Sequence, residues 1–508
     1  PKTAPNGCAT PKVVAAFYCD YVRRYLLADP ALGDSVSDRL QLINNGGLTI
    51  KTTMNLSYQR AANAAAQATV APTDSAVGAL AMVQPGTGNV LALAQSRPMG
   101  TDAKKGQTFL NYLVDPKYGD SAGFQPGSSF KLFTLNAALT EGLPSSLGFY
   151  SPHTLNVPQN QFQTCGGAYP NTTDWNVSNS TTDGQMTMYT GMQQSVNTYF
   201  AQLERQTGIC QPYKLAKSMG IDFGTSNPQV PSFTLGVASA NPLELAEAYA
   251  TMPARGKYCA PRPVAEILNS KGGVFKTYPT QCRQVVPQSV ADRVNDILSG
   301  VMSPSGFGAN LLLNRQAAAK TGTSESNQAV WFNGYTPTVS TSAVVAGLNS
   351  AGQPTSLNPI PLNGIYYGTA HGSTVAGPMW AKAMRAIENG LPNIGFVPPV
   401  DPPNQAGLPS VEGQSVAQAT SILRAAGYAV ARAGQVNSNY SPGTVAQVSL
   451  GADLHTVYLF TAADSPLYTA PPVNPNPPPT NGKPGKGNGN GNGKPGNGNG
   501  GGHGGGHH

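Results

Sequence analysis

The pattern most able to carry chemistry is a serine followed three residues later by a lysine, Ser128 and Lys131. Pro126 and Gly127 predict a turn before them, and residues 128–139 carry apolar side chains at helical spacing. The two side chains are therefore expected on one face of a helix, about one turn apart. Free N–H groups at a helix start stabilise developing negative charge, as a serine nucleophile requires.

Lys131 can act as a base for Ser128 only in its neutral form. Its pKa would have to fall from about 10.4 to near 7, which corresponds to about 4 kcal/mol. Burial and a second cation nearby are the usual means of lowering a lysine pKa. An N-cap serine followed by a solvated lysine is the bland alternative, but Ser-x-x-Lys occurs only once in this chain.

A second pattern, Lys320-Thr321-Gly322-Thr323, would complement the first. Gly322 lacks a side chain and would let a ligand approach an open strand edge. Lys320 would supply the second cation that keeps Lys131 neutral. A lysine beside a turn explains this pattern equally well when it is taken alone.

A third pattern, Ser-x-Asn, begins at Ser195, Ser239 and Ser356. Three residues are too few to be diagnostic by themselves. The match from Ser195 to Asn197 lies between two helical stretches, whereas the match at Ser239 precedes Pro242 and is explained by helix capping. Ser195 and Asn197 are therefore the candidates for the site.

The segments that position these residues predict a sheet with helices packed on it. Residues 80–93 predict a β-hairpin across a turn at residues 85–88, and residues 343–348 predict another strand. Residues 128–139, whose apolar side chains have helical spacing, lie between these two segments in the chain. This order indicates an α/β or α+β fold in which helices cover a sheet.

The three patterns together resemble the penicillin-binding, active-site-serine transpeptidases. Ser-x-x-Lys, Ser-x-Asn and Lys-Thr-Gly stand here in that family's order. Val196 replaces the aspartate usual in the second pattern, which counts against a β-lactamase more than against a transpeptidase. The same family is also resembled by four further segments, at residues 47–54, 123–131, 331–337 and 377–380. The chain is similar to the C-terminal part of a class A (bifunctional) penicillin-binding protein of the actinobacterial type.

The resemblance implies a penicillin-binding transpeptidase or serine β-lactamase-like fold at residues 76–395, with a central antiparallel sheet covered by helices. Residues 1–75 would be a linker region that follows a glycosyltransferase domain and a membrane anchor, both missing from a chain that starts at Pro1. Glycan polymerisation would then belong only to the longer parent protein.

A small α+β module is predicted at residues 405–463, after a proline-rich break. Its pattern predicts a strand, a helix capped by Ser415 and ended by Gly427, and then strands, with a turn at residues 441–443. This module resembles a single PASTA domain. Residues 464–508 are rich in glycine, proline and asparagine and are predicted to be disordered.

The resemblance also implies a reaction. Ser128 would attack the penultimate carbonyl of a D-Ala–D-Ala stem peptide with neutral Lys131 as base, forming an acyl-enzyme. Ser195 and Lys320 would pass a proton to the leaving amine, and the N–H groups of Ser128 and Thr323 would form the oxyanion hole.

The resemblance also implies which residues contact the substrates and on which side of the membrane the site lies. Asn197 would position the substrate amide, and Thr321, Gly322 and Thr323 would hold the terminal carboxylate. An amine of a neighbouring peptidoglycan strand would resolve the acyl-enzyme, and β-lactams would acylate Ser128 as substrate mimics. No metal or cofactor is required. The site would face the cell wall, on the extracytoplasmic side of the bacterial membrane.

Other classes of function remain open at this point. A D,D-carboxypeptidase or a β-lactamase would use the same residues with water as acceptor, although no glutamate marks a deacylating base and the chain is long for a β-lactamase. A non-enzymatic β-lactam or cell-wall sensor would acylate without turnover. A wall-binding protein with a dead catalytic domain is disfavoured because the catalytic patterns are intact.

Charge and composition exclude further classes. The net charge is +7 over 508 residues and no basic run with interleaved aromatic residues occurs, so nucleic-acid binding is not expected. No apolar run approaches the roughly 18 residues of a membrane span, so contact with a membrane would require the missing N-terminal anchor. Charged residues make up only 11% of the chain, which is typical of an extracytoplasmic protein.

The six cysteines contain no Cys-x-x-Cys pair, which argues against a zinc site. Six cysteines allow 15 pairings, and buried free thiols are an alternative. The composition favours disulfides formed in an oxidising compartment. Pairing of sequence neighbours would give Cys8–Cys19, Cys165–Cys210 and Cys259–Cys282, the last joining two adjacent strands.

Overall fold

The computed structural model describes residues 7–9, 13–349, 351–399, 408–436, 438, 440–450 and 456–463. The chain divides into two compact units, and the first, Pro1–Leu467, contains every described residue. The predicted disordered segment 464–508 lies outside the described residues. Within the described part, no helix has the length and apolarity needed to cross a bilayer.

Helices and strands are interspersed along the described part of the chain. The helices are α1 (Ala16–Leu27), α2 (Val36–Asn45), α3 (Leu56–Thr69), α4 (Pro116–Gly119), α5 (Lys131–Thr140), α6 (Met188–Gln193), α7 (Asn197–Thr207), α8 (Cys210–Ser218), α9 (Pro242–Ala250), α10 (Gln288–Ser299), α11 (Gly377–Ile387) and α12 (Val416–Ala425). The strands are β1 (Thr49–Thr52), β2 (Ala76–Gln84), β3 (Asn89–Gln95), β4 (Phe149–Ser151), β5 (Thr154–Pro158), β6 (Gln163–Thr164), β7 (Gly167–Ala168), β8 (Asp174–Ser178), β9 (Gly184–Met186), β10 (Lys257–Cys259), β11 (Val264–Leu268), β12 (Val274–Thr277), β13 (Cys282–Gln284), β14 (Ala318–Thr323), β15 (Ala329–Tyr335), β16 (Ser340–Leu348), β17 (Pro354–Thr355), β18 (Ile360–Leu362), β19 (Ile365–Tyr367), β20 (Ala429–Val436), β21 (Val445–Leu450) and β22 (Thr456–Ala462).

A six-stranded sheet forms the centre of this unit, in the order β14-β15-β16-β2-β3, with β17 paired to β16. All neighbouring strands in it are antiparallel. β15 and β16 are buried throughout and β2 is buried except at its last residue, as expected for strands covered on both faces. β2 and β3 form the predicted hairpin, and β16 contains the strand predicted at residues 343–348.

Alternate residues of β15 face two layers of helices. Phe332 and Gly334 face α11, where Trp380 packs against the Phe332 ring and donates its indole N–H to the carbonyl oxygen of Gly334. Asn333 and Tyr335 face the other way, toward the turn before α5 and toward α10. α3 and α11 thus cover one face of the sheet, and α9 and α10 cover the other. The predicted fold, an antiparallel sheet covered by helices, is confirmed.

Helix α5 lies inside the helical layer that contains α7, α8 and α10. Its residues from Lys131 through Leu139 are all buried. A helix that is buried on every side is a core element rather than a surface helix. The position of its first residue is therefore fixed by packing from several directions.

Residues 13–75, expected to be a linker region, fold against the sheet. Helix α1 buries Phe17, Tyr18 and Tyr21, and the Tyr18 hydroxyl lies 2.8 Å from the carbonyl oxygen of Val90 and 2.9 Å from that of Pro263. Helix α3 packs on β2 and β3 through a row of buried alanines. The alanine-rich sequence of α3 did not distinguish it from a linker, whereas the aromatic residues of α1 were a signal that the sequence analysis missed.

The C-terminal module forms from α12 and the sheet β20-β22-β21. Ser415 caps α12 through a capping box, as predicted. One prediction is wrong: the described residues 408–414 before α12 form no strand, and Val411 enters the module's core from this irregular segment. β20 runs parallel to β22, which pairs antiparallel with β21, so the turn at residues 441–443 leads into β21 and does not join it to β20 as a hairpin.

The module has its own apolar core and also contacts the large one. Val411, Ala419 and Leu423 belong to the module's core, whereas Val436 and Phe460 belong to the large core that contains the central sheet. The module therefore lies packed against the helical layer.

The structure links the six cysteines as sequence neighbours: Cys8–Cys19, Cys165–Cys210 and Cys259–Cys282. Cys259 and Cys282 stand opposite each other on β10 and β13, the adjacent strands that were predicted.

Candidate active site

The turn that carries Ser128 precedes α5 and is not part of it. Residues Gly127–Phe130 form a 3₁₀ turn, and α5 begins at Lys131, three residues later than the helix start predicted at Ser128. Gly127 has a φ of +56°, and a Cβ there would clash with the backbone of Thr323. Glycine is required at this position so that the turn and β14 can lie in direct contact.

The sequence analysis missed the side chains that hold this turn. Asn333 on β15 donates its side-chain N–H to the Ser129 hydroxyl at 2.8 Å. The Tyr249 hydroxyl donates to the carbonyl oxygen of Ser129 at 2.8 Å, and the indole N–H of Trp331 donates to that of Gln125 at 2.9 Å. The one signal in the sequence was an asparagine within the otherwise apolar strand β15.

Lys131 is fully buried, with its amine 2.7 Å from the carbonyl oxygen of Ser195 and 2.7 Å from Oδ1 of Asn197. Both partners only accept hydrogen bonds. The pKa of Lys131 lies well below its usual value because burial removes water from the amine and because Lys320 is a nearby cation. A neutral amine would spend its two N–H groups on these partners, which leaves its lone pair for a hydroxyl proton.

Ser195 joins the two lysines. Its hydroxyl oxygen lies 2.7 Å from the amine of Lys320 and 3.3 Å from that of Lys131. Ser195 stands between α6 and α7 with a φ of +54°, a left-handed conformation that is uncommon for a residue with a side chain. This bend aims both its hydroxyl and its carbonyl group toward the lysines.

Lys320 is the second buried cation of the site, with 1% of its surface exposed. Burial lowers its pKa to about 7, so its ammonium and amine forms are both populated at neutral pH. Its amine also donates to the carbonyl oxygen of Thr321 at 2.9 Å. The expected arrangement of a lysine near Lys131 is therefore present in the structure.

Asn197 connects the site to β8. Its Oδ1 accepts from Lys131, and its Nδ2 donates to the carbonyl oxygen of Ser178 at 2.9 Å. Val196, which stands where the family pattern has aspartate, is fully buried in the apolar core. An apolar side chain is therefore compatible with the surroundings of this position.

The strand β14 forms one wall of the site at the edge of the sheet. Thr321 and Thr323 are half-buried and line the groove. The role predicted for Gly322 is corrected: a Cβ there would clash with the carbonyl oxygen of Pro126 and the hydroxyl of Ser129. Gly322 makes room for the serine turn and not for a ligand.

These residues meet in one groove of about 760 Å³. Ser128, Ser195, Asn197, Thr321 and Thr323 all line it, and its remaining lining is mostly polar. Lys131 and Lys320 lie behind this surface, in contact with Ser195. The arrangement places a serine hydroxyl, an amine of lowered pKa and a second cation around one cleft, as acyl transfer by a serine requires. Over the described residues, no cluster of histidine, cysteine, aspartate and glutamate is arranged to hold a metal ion.

Comparison with known proteins identifies the class of this fold and site. Residues 78–360 match the family model of the penicillin binding protein transpeptidase domain. The chain belongs to this family, and its relatives place the domain with the transpeptidase region of class A penicillin-binding proteins.

Curated relatives with detectable similarity include two proteins called penicillin-binding protein 1A. The protein from Mycobacterium tuberculosis is 28% identical over 388 residues, which cover 73% of this chain and 43% of the relative. The protein from Neisseria lactamica is 28% identical over 284 residues, which cover 54% of this chain and 33% of the relative. The chain thus spans less than half the length of these relatives.

Solved structures support the fold. The penicillin-binding protein PonA1 from Mycobacterium tuberculosis aligns with a TM-score of 0.59 at 24% identity, over 76% of this chain and 93% of that chain. An imipenem acyl-enzyme of penicillin-binding protein A from the same organism aligns with a TM-score of 0.51 at 20% identity, over 69% of this chain and 83% of that chain.

Proposed function

We propose that this domain is a serine D,D-transpeptidase that cross-links peptidoglycan stem peptides through an acyl-enzyme on Ser128. The observation that carries the proposal is Lys131, a buried amine of lowered pKa that begins the helix one turn after Ser128. Membership of the transpeptidase domain family supplies the reaction class.

In the acylation step, the lone pair of neutral Lys131 takes the proton of the Ser128 hydroxyl as Ser128 attacks the penultimate carbonyl carbon of a D-Ala–D-Ala end. The negative charge that develops on the carbonyl oxygen is stabilised by the N–H groups of Ser128 and Thr323. The close contact of Gly127 with Thr323 favours this pairing, because it brings the two backbone segments together.

Collapse of the tetrahedral intermediate breaks the peptide bond, and the leaving D-Ala nitrogen needs a proton. Ser195 can donate its hydroxyl proton and recover one from Lys320, whose amine lies 2.7 Å away. Thr321 and Thr323 bind the terminal carboxylate of the donor, and Asn197 orients its amide. An amine of a second stem peptide then attacks the ester and restores Ser128.

A β-lactam would acylate Ser128 in the same way, and its ring-opened leaving group would stay attached and block the second step. The proposed partners are therefore donor and acceptor stem peptides and β-lactams, on the outer side of the bacterial membrane. We further propose that residues 76–395 form the catalytic domain and that residues 405–463 form a PASTA-like module that keeps it near the cell wall.

The test is a turnover assay with a synthetic D-Ala–D-Ala donor and an amine acceptor. The proposal predicts release of D-Ala together with a donor–acceptor amide, both absent in Ser128→Ala. Release of D-Ala with hydrolysed donor alone, at every acceptor concentration, would assign a D,D-carboxypeptidase. Stable acylation by penicillin without any turnover of the donor would assign a sensor.

A further inference from the structure

Glu325 lies in the catalytic groove, two residues after Thr323. It provides the only carboxylate among the described residues that line the groove, and it is exposed. The proposed mechanism gives it no task. The two buried lysines of the site lie near Ser195, so the groove has its cationic part there and its carboxylate beyond the end of β14.

The turn that presents Glu325 has a defined shape. Ser326 and Asn327 have φ values of 54° and 52°, two successive left-handed residues that are not glycine. The Ser324 hydroxyl accepts from the Ala329 N–H at 2.8 Å, and the Asn327 side chain donates to the carbonyl oxygen of Ala370 at 3.0 Å. Sparsely populated backbone conformations of this kind persist where the surroundings fix them, often at functional sites.

The direction of the groove decides what reaches Glu325. From β14 onward it is lined by Thr321, Thr323, Ser324, Glu325 and Asn327, and by no earlier residue of that strand. A donor whose carboxylate is held at Thr321 and Thr323 therefore extends past the end of the strand. Two extended residues span about 7 Å, both for the two D-Ala residues and for the step from Thr323 to Glu325.

We propose that Glu325 binds an ammonium group of a stem peptide. This inference rests on the proposed function, in which the acceptor is a stem peptide with a free amine and the donor is a peptide of the same kind. A carboxylate at this position complements that ammonium group and selects stem peptides that carry it. The two sources of the ammonium, the donor side chain and the acceptor, share this chemistry and are separated by experiment.

The donor arm compares Glu325→Gln with wild type on Nα-acetyl-L-Lys-D-Ala-D-Ala, with the side-chain amine free or acetylated. If the donor supplies the ammonium, Glu325→Gln raises KM about three- to fivefold for the free-amine donor and leaves the acetylated donor unchanged. Glu325→Asp should restore part of the preference, and 0.5 M salt should weaken it in wild type.

The acceptor arm uses the acetylated donor and measures the ratio of aminolysis to hydrolysis against the concentration of an amine acceptor. If the acceptor supplies the ammonium, Glu325→Gln raises the half-saturating acceptor concentration about three- to fivefold. Asp34→Asn, which removes an exposed carboxylate outside the groove, is the matched control.

Benzylpenicillin acylation of Ser128 separates the two proposals, because its acyl side chain carries no ammonium. Glu325→Gln should acylate at the wild-type rate. If neither arm changes by more than about 1.5-fold while benzylpenicillin acylation is intact, Glu325 has no such role. If wild-type Ser128 is not acylated at all, the proposed function itself fails.

Discussion

Replacing Lys320 by methionine should stabilise the fold at neutral pH, by an amount that shrinks as the pH rises. Lys320 is 1% exposed, and burial lowers its pKa to about 7 in the folded protein. In the unfolded chain its pKa returns to about 10.4. Between these two values the unfolded chain binds more protons, so the free energy of unfolding of the wild type rises with pH.

The magnitude follows from the two pKa values. The slope that Lys320 contributes approaches about 1.4 kcal/mol per pH unit between pH 8 and 9.5, and its sum from pH 7 to 9.5 is about 3 kcal/mol. Lys320→Met lacks this slope. The hydrogen bonds that the variant loses, to Ser195 and Thr321, lower its stability by an offset that is nearly independent of pH.

The assay is urea unfolding of both proteins at pH 7, 8, 9 and 9.5, with the difference in unfolding free energy as the readout. We expect the advantage of Lys320→Met over wild type to fall by about 3 kcal/mol across this range. Lys104→Met removes an exposed lysine and is the control. A difference for Lys320→Met that is flat with pH would refute a lowered Lys320 pKa.

Three further predictions follow from the same contacts. The second-order rate of benzylpenicillin acylation should fall above pH 7 as Lys320 loses its proton, whereas neutral Lys131 keeps the rising limb at lower pH; a rate that climbs steadily to pH 9 would contradict this. Asn333→Leu should lower the free energy of unfolding by about 1–3 kcal/mol and slow acylation, because it leaves the buried hydroxyls of Ser129 and Ser342 without their hydrogen-bond partner; unchanged acylation kinetics would show that acylation does not depend on these hydrogen bonds. A chain ending at residue 395 should acylate within about twofold of the full chain but melt at a lower temperature, because Phe460 packs in the large core; a tenfold slower acylation would make the module part of the catalytic unit.

The candidate catalytic residues were predictable from sequence because each pattern sits at a local structural feature. Residues close in the chain indicate each of these features: the turn before Lys131, the junction between α6 and α7 at Ser195, and the strand edge at Lys320. Asn241 likewise caps α9 with Glu244, as the capping interpretation of the second Ser-x-Asn match required.

The contacts that hold the site were less predictable because they join segments far apart in the chain. Asn333 and Ser129 are 204 residues apart, and Asn197 and Ser178 are 19 apart across a helix and a strand. The role of Gly322 also depends on what packs against it, and the sequence alone does not specify that neighbour. The order of strands in the C-terminal module was missed because alternation predicts strands but not their partners.

The most direct test of the mechanism is the site and rate of the covalent penicillin adduct. Intact-mass measurement and peptide mapping after incubation with benzylpenicillin should place one adduct on Ser128 in the wild type, with none in Ser128→Ala. Lys131→Ala should keep its fold and lose nearly all acylation, because it removes the amine at the start of α5 that is proposed to take the Ser128 proton. An adduct on Ser129 or Ser195, or acylation of Lys131→Ala within a few-fold of the wild-type rate, would contradict the proposed mechanism.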